Sequence, residues 1–278
     1  MRKKTLKILK DVATGNVLNA EIKVISLGLG VQSTALYLMS SMGVIERADH
    51  AIFSDPGSEH KVTYDLEKWL VVWQEENNGI PLHIIRSSLY NDLKGRRRDP
   101  GKRVASLPLF AKGGMGKIMR QCTMEYKIQP VLKKTRELLG LKPRQRIRPV
   151  EMWLGITIDE AQRMKASGQY NISYRYPLIQ EGMSRADCLN FLRDNNFPIP
   201  AKSACVFCPF HSDKFWRSLK KENGDEWETA IEVDRIIRTH PKMKEKLYIH
   251  RSCKPLDEID FADQQDLFED ECEGYCGI

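Results

Sequence analysis

The sequence predicts an α/β fold: a parallel twisted sheet with helices on both faces, plus a helical C-terminal extension. Three observations predict it. The run Ile22–Leu38 reads as a short apolar strand, a glycine-bearing turn and a helix starting near Thr34. The chain then alternates: a strand over His50–Ser54, helical spacing of Leu66, Leu70 and Trp73 over Lys61–Asn78, and a strand over Pro81–Ser87. A fourth strand, Glu151–Thr157, ends beside the charged residues Asp159, Glu160 and Arg163. A strand–helix–strand rhythm implies a parallel sheet, whose ligands sit at the carboxyl ends of the strands.

The elements follow in order. Residues 1–20 are polar and mixed, an N-terminal arm. The turn Ser26–Ser33 is built as an anion trap, because the first N–H groups of a helix lack intrahelical acceptors and carry the positive end of its dipole. Gly28 and Gly30 let backbone approach a phosphate closely and permit positive φ. Ser26, Ser33 and Thr34 add hydroxyls, and Gln32 lies between them. No Gly-Lys-Ser/Thr follows, so this is not a Walker A loop, and a third glycine for a dinucleotide fingerprint is missing. The competing reading is an ordinary βα turn that holds two glycines. The strand at His50 runs into an acidic turn, Asp55–His60, on the same predicted rim.

Residues 94–117 read as a long basic loop carrying Lys94, Arg96, Arg97, Arg98, Lys102 and Arg103. A loop of that length is a lid, a phosphate-backbone contact or a solvated charge run. Ile118–Leu139 reads as a helix ended by Gly140, and Arg144, Arg146 and Arg148 alternate along the linker after it. A short helix over Ser184–Asn195 and one or two charged helices within 212–250 complete the ordered elements. Residues 253–278 form an acidic tail. The organisation expected is an arm (1–20), a nucleotide-binding domain (21–210) and a helical extension with a cysteine-containing tail (211–278).

At 278 residues and 32.1 kDa the chain is long enough to bury a substantial core. No apolar run is long enough to span a bilayer, so no membrane partner is expected. No apolar signal region follows Met1-Arg2-Lys3-Lys4, which predicts a cytoplasmic protein. A net charge of +7 and a pI of about 9.0 favour an anionic small molecule or a polyanion as partner. The Arg96–Arg98 run and the Arg144–Arg148 stripe are candidate contacts to RNA or DNA. Seven cysteines without an export signal point to metal or redox chemistry. Cys205 and Cys208, in Ala-Cys-Val-Phe-Cys-Pro-Phe, are spaced to converge on a metal, which supplies half a site. Cys188, in an amphipathic segment, reads as a buried thiol.

Together these pieces resemble the PAPS/APS reductase family within the adenine-nucleotide α-hydrolase-like (PP-loop) superfamily. The family's phosphate turn is commonly Ser-Phe-Ser-Gly-Gly-Lys-Asp-Ser. Here Ser26–Ser33 keeps the outer serines and Gly30, with Gly28, Leu29 and Gln32 as departures. Asp55, Gly57, Glu59, Thr63 and Tyr64 are similar to a second family element. Arg120, Cys122, Lys127 and Pro130 are similar to a third, in which Thr123 stands where the family has a second cysteine. Gly155, Ile156, Glu160 and Arg163 match a fourth, and Cys205 and Cys208 a fifth. The tail Cys276-Gly277-Ile278 echoes the family terminus without its histidine.

The resemblance implies an enzyme of sulfur chemistry that binds an adenine nucleotide, ATP, PAPS or APS. The nucleotide contacts implied are Ser26, Gly28, Gly30, Gln32, Ser33, Thr34, Asp55, Glu59, Arg120, Gly155 and Arg163. If ATP is the ligand, Asp55 holds Mg²⁺; if not, it caps the helix that begins near Lys61. Cys122, Cys205 and Cys208 would bind a [4Fe–4S] cluster, with Cys253 or a tail cysteine, Cys272 foremost, as fourth ligand or with one iron open. Zinc is the alternative. Cys276 is the implied nucleophile, Lys127 a catalytic counter-charge and a thioredoxin-like protein the reductant. Two further readings stay open: ATP-dependent thiolation of a nucleic-acid base, and a non-catalytic module binding nucleotide and zinc.

Overall fold

The structure, a computed structural model, describes residues 19–97, 107–112, 121–222, 224–239 and 245–261, apart from the side chains of 96 and 97. These residues divide into two compact units. The first is drawn from Met1–Ser54, Lys61–Ile85 and Gln129–Ser203, the second from Asp55–His60, Arg86–Ile128 and Ala204–Ile278.

The first unit is the α/β sheet. Its strands are β1 (Ile22–Leu27), β2 (His50–Asp55), β3 (Leu82–Arg86), β5 (Val150–Leu154) and β6 (Ile172–Arg175), in the order β3-β2-β1-β5-β6. β1 runs parallel to β2, with Ile25 opposite Ala51, and to β5, with Ile25 opposite Trp153. β5 runs parallel to β6, with Met152 opposite Tyr174. From β1 the chain first builds outward through β2 and β3, then returns to the other side of β1 for β5 and β6. The order therefore reverses between β1 and β5, where open α/β sheets form their ligand crevice. All five residues of β5 are buried, as a strand covered on both faces requires.

Helices α1 (Val31–Ser41), α2 (Lys61–Glu76) and α4 (Gln129–Leu138) connect the strands, and a short turn α5 (Pro177–Gln180) leads to α6 (Arg185–Asp194). Leu36, Leu38, Phe53, Leu70, Trp153 and Leu192 centre the core. α1 is buried along most of its length, whereas α2 buries one stripe, Thr63, Leu66, Glu67 and Leu70. The Ser184 hydroxyl accepts from the Asp187 N–H, and Asp187 accepts in return from the Ser184 N–H, a capping box that starts α6.

The second unit holds α3 (Leu89–Arg97), β4 (Phe110–Ala111), a π-helical turn (Met124–Ile128), α7 (Asp213–Glu222), α8 (Gly224–Ile237) and β7 (Leu247–Tyr248). β4 and β7 pair antiparallel, with Phe110 opposite Tyr248. Leu93, Leu109, Phe207, Trp216, Ala230 and Ile249 lie in its core. Asp234 of α8 is buried, and its carboxylate accepts the N–H groups of Ile249 and Leu256, both at 3.1 Å, and pairs with Arg238. That carboxylate satisfies backbone donors that would otherwise be buried unpaired.

Three elements differ from the sequence expectation. α1 begins at Val31, not near Thr34. Lys94, Arg96 and Arg97 belong to helix α3, not to a loop, because Leu89 and Leu93 bury one face. Strand β6 was not expected; only Ile172 of its four residues is buried. Among the described residues, no helix is long and apolar enough to cross a membrane.

Candidate functional site

In the first unit, β1 delivers the turn at its carboxyl end. Positive φ is found not at Gly28 or Gly30 but at Leu29, φ 57°. Leu29 is 1% exposed, and its burial in the core offsets a strain of roughly 1–3 kcal/mol for a non-glycine in this region. With Leu29 anchored inward, the flanking glycines stay on the surface of the turn. A Cβ at Gly30 would meet no protein atom within 4 Å, and one at Gly28 only the Ser33 hydroxyl at 3.7 Å. Neither glycine is demanded by packing. The Gly28 and Gly30 N–H groups both donate to Ser33 Oγ, each at 3.2 Å. One hydroxyl oxygen thus accepts from both glycine amides of the turn.

The carboxyl end of β5 closes against this turn. A Cβ at Gly155 would lie 2.7 Å from Ser33 Cα and 2.8 Å from Ser33 N, so only glycine fits. The short 3₁₀ helix Ile158–Arg163 follows. Gln32 Nε2 donates to Glu160 Oε2 at 3.3 Å, and Arg185 Nη1 donates to Gln32 Oε1 at 3.3 Å. Glu160 is paired with Arg163 at 2.7 Å. Asp159 accepts the Arg185 N–H at 2.6 Å. Around this network three buried polar atoms have no hydrogen-bond partner: Thr34 Oγ1, Thr157 Oγ1 and Arg163 Nε. Buried polar atoms without hydrogen-bond partners are uncommon in folded proteins.

In the second unit, Asp55 is buried at the end of β2. Its carboxylate accepts the Gly57 N–H at 2.7 Å and pairs with Arg86 Nη1 at 2.7 Å. Its carbonyl accepts from the Ser87 N–H at 3.0 Å and hydroxyl at 2.9 Å. Gly57 has φ +74°, and a Cβ there would lie 2.3 Å from the Ser87 carbonyl oxygen. The turn therefore presents Glu59 to Cys205 across an isolated antiparallel bridge, and the Val206 N–H donates to the Ser58 carbonyl at 2.8 Å.

The Cys205–Cys208 turn is closed by the Cys208 N–H donating to the Cys205 carbonyl at 2.9 Å, and the His211 ring lies 2.8 Å from the same carbonyl. His211 stacks on Phe215 with centroids 3.5 Å apart. Burial pushes the Cys205 thiol well above its ordinary pKa; Glu59, Cys208 and Cys122 push the same way and Lys127 opposes them. Cys122, Cys208, Glu59 and Lys127 are thus near enough to act on the charge of Cys205. The Glu59 side chain is fully buried and its Oε1 lies 3.1 Å from Lys127 Nζ. Lys127 sits in the π-helical turn, a distortion that often re-aims side chains at functional sites. Thr123 beside Cys122 is buried. Among the described residues, no three His, Cys, Asp or Glu side chains converge on a single-ion site.

The candidate residues thus fall into two groups. Ser26, Gly28, Gly30, Gln32, Ser33, Thr34, Gly155 and Arg163 lie in the first unit, and Asp55, Glu59, Lys127, Cys122, Cys205 and Cys208 in the second. Arg120, Cys272, Cys276 and Arg98 lie outside the described residues, as do the side chains of Arg96 and Arg97. Arg144 and Arg146 are exposed, and Arg148 pairs with Glu21. Cys188 is fully buried, and burial with nearby Asp187 and Asp159 pushes its thiol to about 12. Arg185 and Thr157 were not anticipated. The signal for Arg185 was its place after Ser184 in a capping box; Thr157 carried none.

No protein-family model and no curated protein matches the chain. Among solved structures it is similar to a phosphoadenylyl-sulfate (PAPS) reductase from Candida auris in complex with phosphate. That match has 13% identity and a TM-score of 0.43 and covers 72% of this chain and 90% of that one. It is also similar to the U34-tRNA thiolase NcsA from Methanococcus maripaludis with its [4Fe-4S] cluster. There the identity is 15%, the TM-score 0.43, and coverage 84% of this chain and 79% of that one. Both likenesses are too distant to carry a residue or an activity over to this chain.

Proposed function

We propose that this protein is a PAPS-reductase-like enzyme of sulfur chemistry. The first unit binds the phosphate side of an adenine nucleotide at Ser26–Thr34, and the second holds an iron–sulfur cluster on Cys122, Cys205 and Cys208. The observation that supports this reading is that Cys205 and Cys208 share one tight turn bridged to Glu59, with Cys122 and Lys127 near enough to act on the Cys205 thiol. Three neighbouring thiols suit iron–sulfur ligation by donor type. When bound, the cluster would supply an iron with a coordination position not taken by these thiols.

In the reductase form, the Cys276 thiolate attacks the sulfonyl sulfur of the bound phosphosulfate. A sulfur–sulfur bond forms, the sulfur–oxygen bond breaks, and the adenosine phosphate leaves. A dithiol protein of thioredoxin type then reduces the S-sulfocysteine, releasing sulfite and becoming a disulfide. A second reading, nucleotide-dependent thiolation of a nucleic-acid base, is favoured by one observation: Lys133, Lys142, Arg144 and Arg146 are all exposed on a single stretch of the first unit.

The test is anaerobic purification followed by iron and sulfide analysis, then incubation with PAPS, APS or ATP. Sulfite release that is lost in Cys276→Ser supports the reductase. Pyrophosphate release that requires nucleic acid and survives that substitution supports the thiolase. A colourless protein holding one zinc would defeat the cluster assignment.

A further inference from the structure

His211 has no part in the proposed chemistry, yet it engages both cysteines of the 205–208 turn. Its backbone N–H donates to the Cys208 carbonyl at 3.1 Å, and its ring Nε2 lies 2.8 Å from the Cys205 carbonyl. A carbonyl oxygen only accepts, so Nε2 carries the proton of that bond. The Cys205 carbonyl also takes the Cys208 N–H at 2.9 Å, which uses both of its lone pairs. Two turns thus run in series, 205–208 and 208–211, and the ring ties the end of the second back to the start of the first. Pro209 stands at the second position of the later turn, where a fixed φ is favoured.

The ring itself is held from outside this loop. It stacks on Phe215, with centroids 3.5 Å and planes 12° apart, and meets Trp216 edge-on at 5.2 Å. Both aromatics belong to α7, whose start is capped by Ser212: the Phe215 N–H donates to Ser212 Oγ at 3.2 Å. Trp216 is fully buried and His211 nearly so. The His60 ring lies edge-on to Phe215, 5.9 Å away, and pairs with Glu226 of α8 at 3.4 Å. A phenylalanine at 211 would stack as well and bury no polar group. What the histidine adds is one N–H aimed at a backbone carbonyl.

We infer that His211 is a positioning residue for the thiols of Cys205 and Cys208. By gripping both carbonyls it fixes the backbone from which the two side chains leave, so their directions are set before any metal arrives. This rests on the iron–sulfur reading above for what the thiols hold; the grip on the turn stands on contacts within the protein. A turn ordered in advance loses none of its affinity to ordering on binding, so iron once held should leave slowly. Groups that fix ligands from behind also tune the metal they carry.

Two substitutions separate the donor from the ring. His211→Phe keeps the stack on Phe215 and removes the N–H. His211→Gln brings an amide N–H to the reach of Nε2 and removes the stack. In the full-length protein purified without oxygen, a ferrous-iron chelator should strip iron about tenfold faster from His211→Phe, and within about threefold of the wild-type rate from His211→Gln, the difference one hydrogen bond makes. The reduction midpoint of the cluster should move in His211→Phe and stay in His211→Gln. In iron-free protein, amide exchange over 205–211 should rank the variants in the same order. Wild-type behaviour of His211→Phe in all three measurements would mean that the ring only packs, and would overturn the inference. So would loss of protection across α7 and α8 in both variants, which would make His211 a core residue. A wild-type protein that takes up no iron would defeat the cluster reading, and the exchange of His211→Phe against His211→Gln would still decide the grip on the turn.

Discussion

In the first unit one continuous stretch, Ser26–Thr34, carries the candidate turn, and the sheet order places β5 beside β1. In the second unit the candidate thiols and their neighbours come from three segments far apart in the chain, 55–60, 122–128 and 205–211. The first region is held by backbone geometry: a buried Leu29 and a glycine, Gly155, that admits no side chain. The second is held by a one-residue bridge, an ion pair and ring stacking. A turn fixed by a sheet edge resists the loss of any one polar contact.

The largest effects should come from the two glycines whose Cβ would strike backbone. Gly57→Ala puts a methyl 2.3 Å from the Ser87 carbonyl at φ +74°, and Gly155→Ala puts one 2.7 Å from Ser33 Cα. Each should cost about 3 kcal/mol or more, because neither obstacle is a side chain that can swing away. The two units need not unfold together, so a single melting temperature is the wrong readout. Hydrogen exchange followed by segment should show Gly155→Ala loosening α1 and β1, and Gly57→Ala loosening 55–60 and 205–211. Loss of protection in both units from either change would mean that the two regions do not stand on separate supports.

Next come the thiols. Cys122→Ala, Cys205→Ala and Cys208→Ala should each lower the iron content of anaerobically purified protein tenfold or more. Cys188→Ala should leave it unchanged, since Cys188 lies in the core of the other unit. In the folded protein Cys188 should also resist alkylation near neutral pH, its thiol being pushed to about 12 chiefly by burial. Equal iron loss from all four would mean that the effect is one of folding. Glu59→Gln should have a smaller effect, about 2 kcal/mol, because Lys127 would keep its charge and lose its carboxylate. Lower protection of the Cys205–Cys208 turn would report it. No change there would make the ion pair incidental.

The two regions were also unequally readable in the sequence. The strand, glycine turn and helix at Ile22–Ser41 stood out because the turn is local and its chemistry follows from adjacent residues. What local reasoning missed there was Leu29. Positive φ at a leucine is visible only when the core that receives its side chain is known. β6 was missed because Ile172-Ser173-Tyr174-Arg175 has one buried residue and no clear alternation. Helix α3 was read as the start of a loop because its charges outweighed the Leu89 and Leu93 pair. In the second unit, the Cys205 and Cys208 spacing gave half a site. Nothing in the composition joined it to Cys122, to Glu59 or to Lys127. The family resemblance added Cys122 to the pair but gave Glu59 to the nucleotide and Lys127 to catalysis, since contacts between distant segments leave no periodic trace.

The smallest expected effect concerns how each unit meets acid. In the second unit, Asp213 lies 3.0 Å from His250 Nε2 and 2.9 Å from Arg251. The Ser252 N–H donates to His250 Nδ1, so Nε2 carries the proton that faces the carboxylate. Burial alone would raise the Asp213 pKa, but the His250 hydrogen bond and the Arg251 charge outweigh it and hold the carboxyl below its ordinary value. A carboxyl with a lower pKa folded than unfolded stabilises fully above the unfolded value, and the gain disappears as the pH falls through the folded one. Asp213→Asn should therefore cost the second unit about 1 kcal/mol at neutral pH, and the difference from wild type should shrink below about pH 4. In the first unit, Glu46 is likewise held low by Lys23 and Arg175 against the opposing effect of its burial, but it is 42% exposed, so solvent screens the pair and the change should be smaller still. Protection of Ile249 in β7 against that of β1 amides, followed from pH 7 to pH 3, measures both. An Asp213→Asn penalty that persists unchanged at the acid end would mean that the side chain acts through packing, with its charge playing no part.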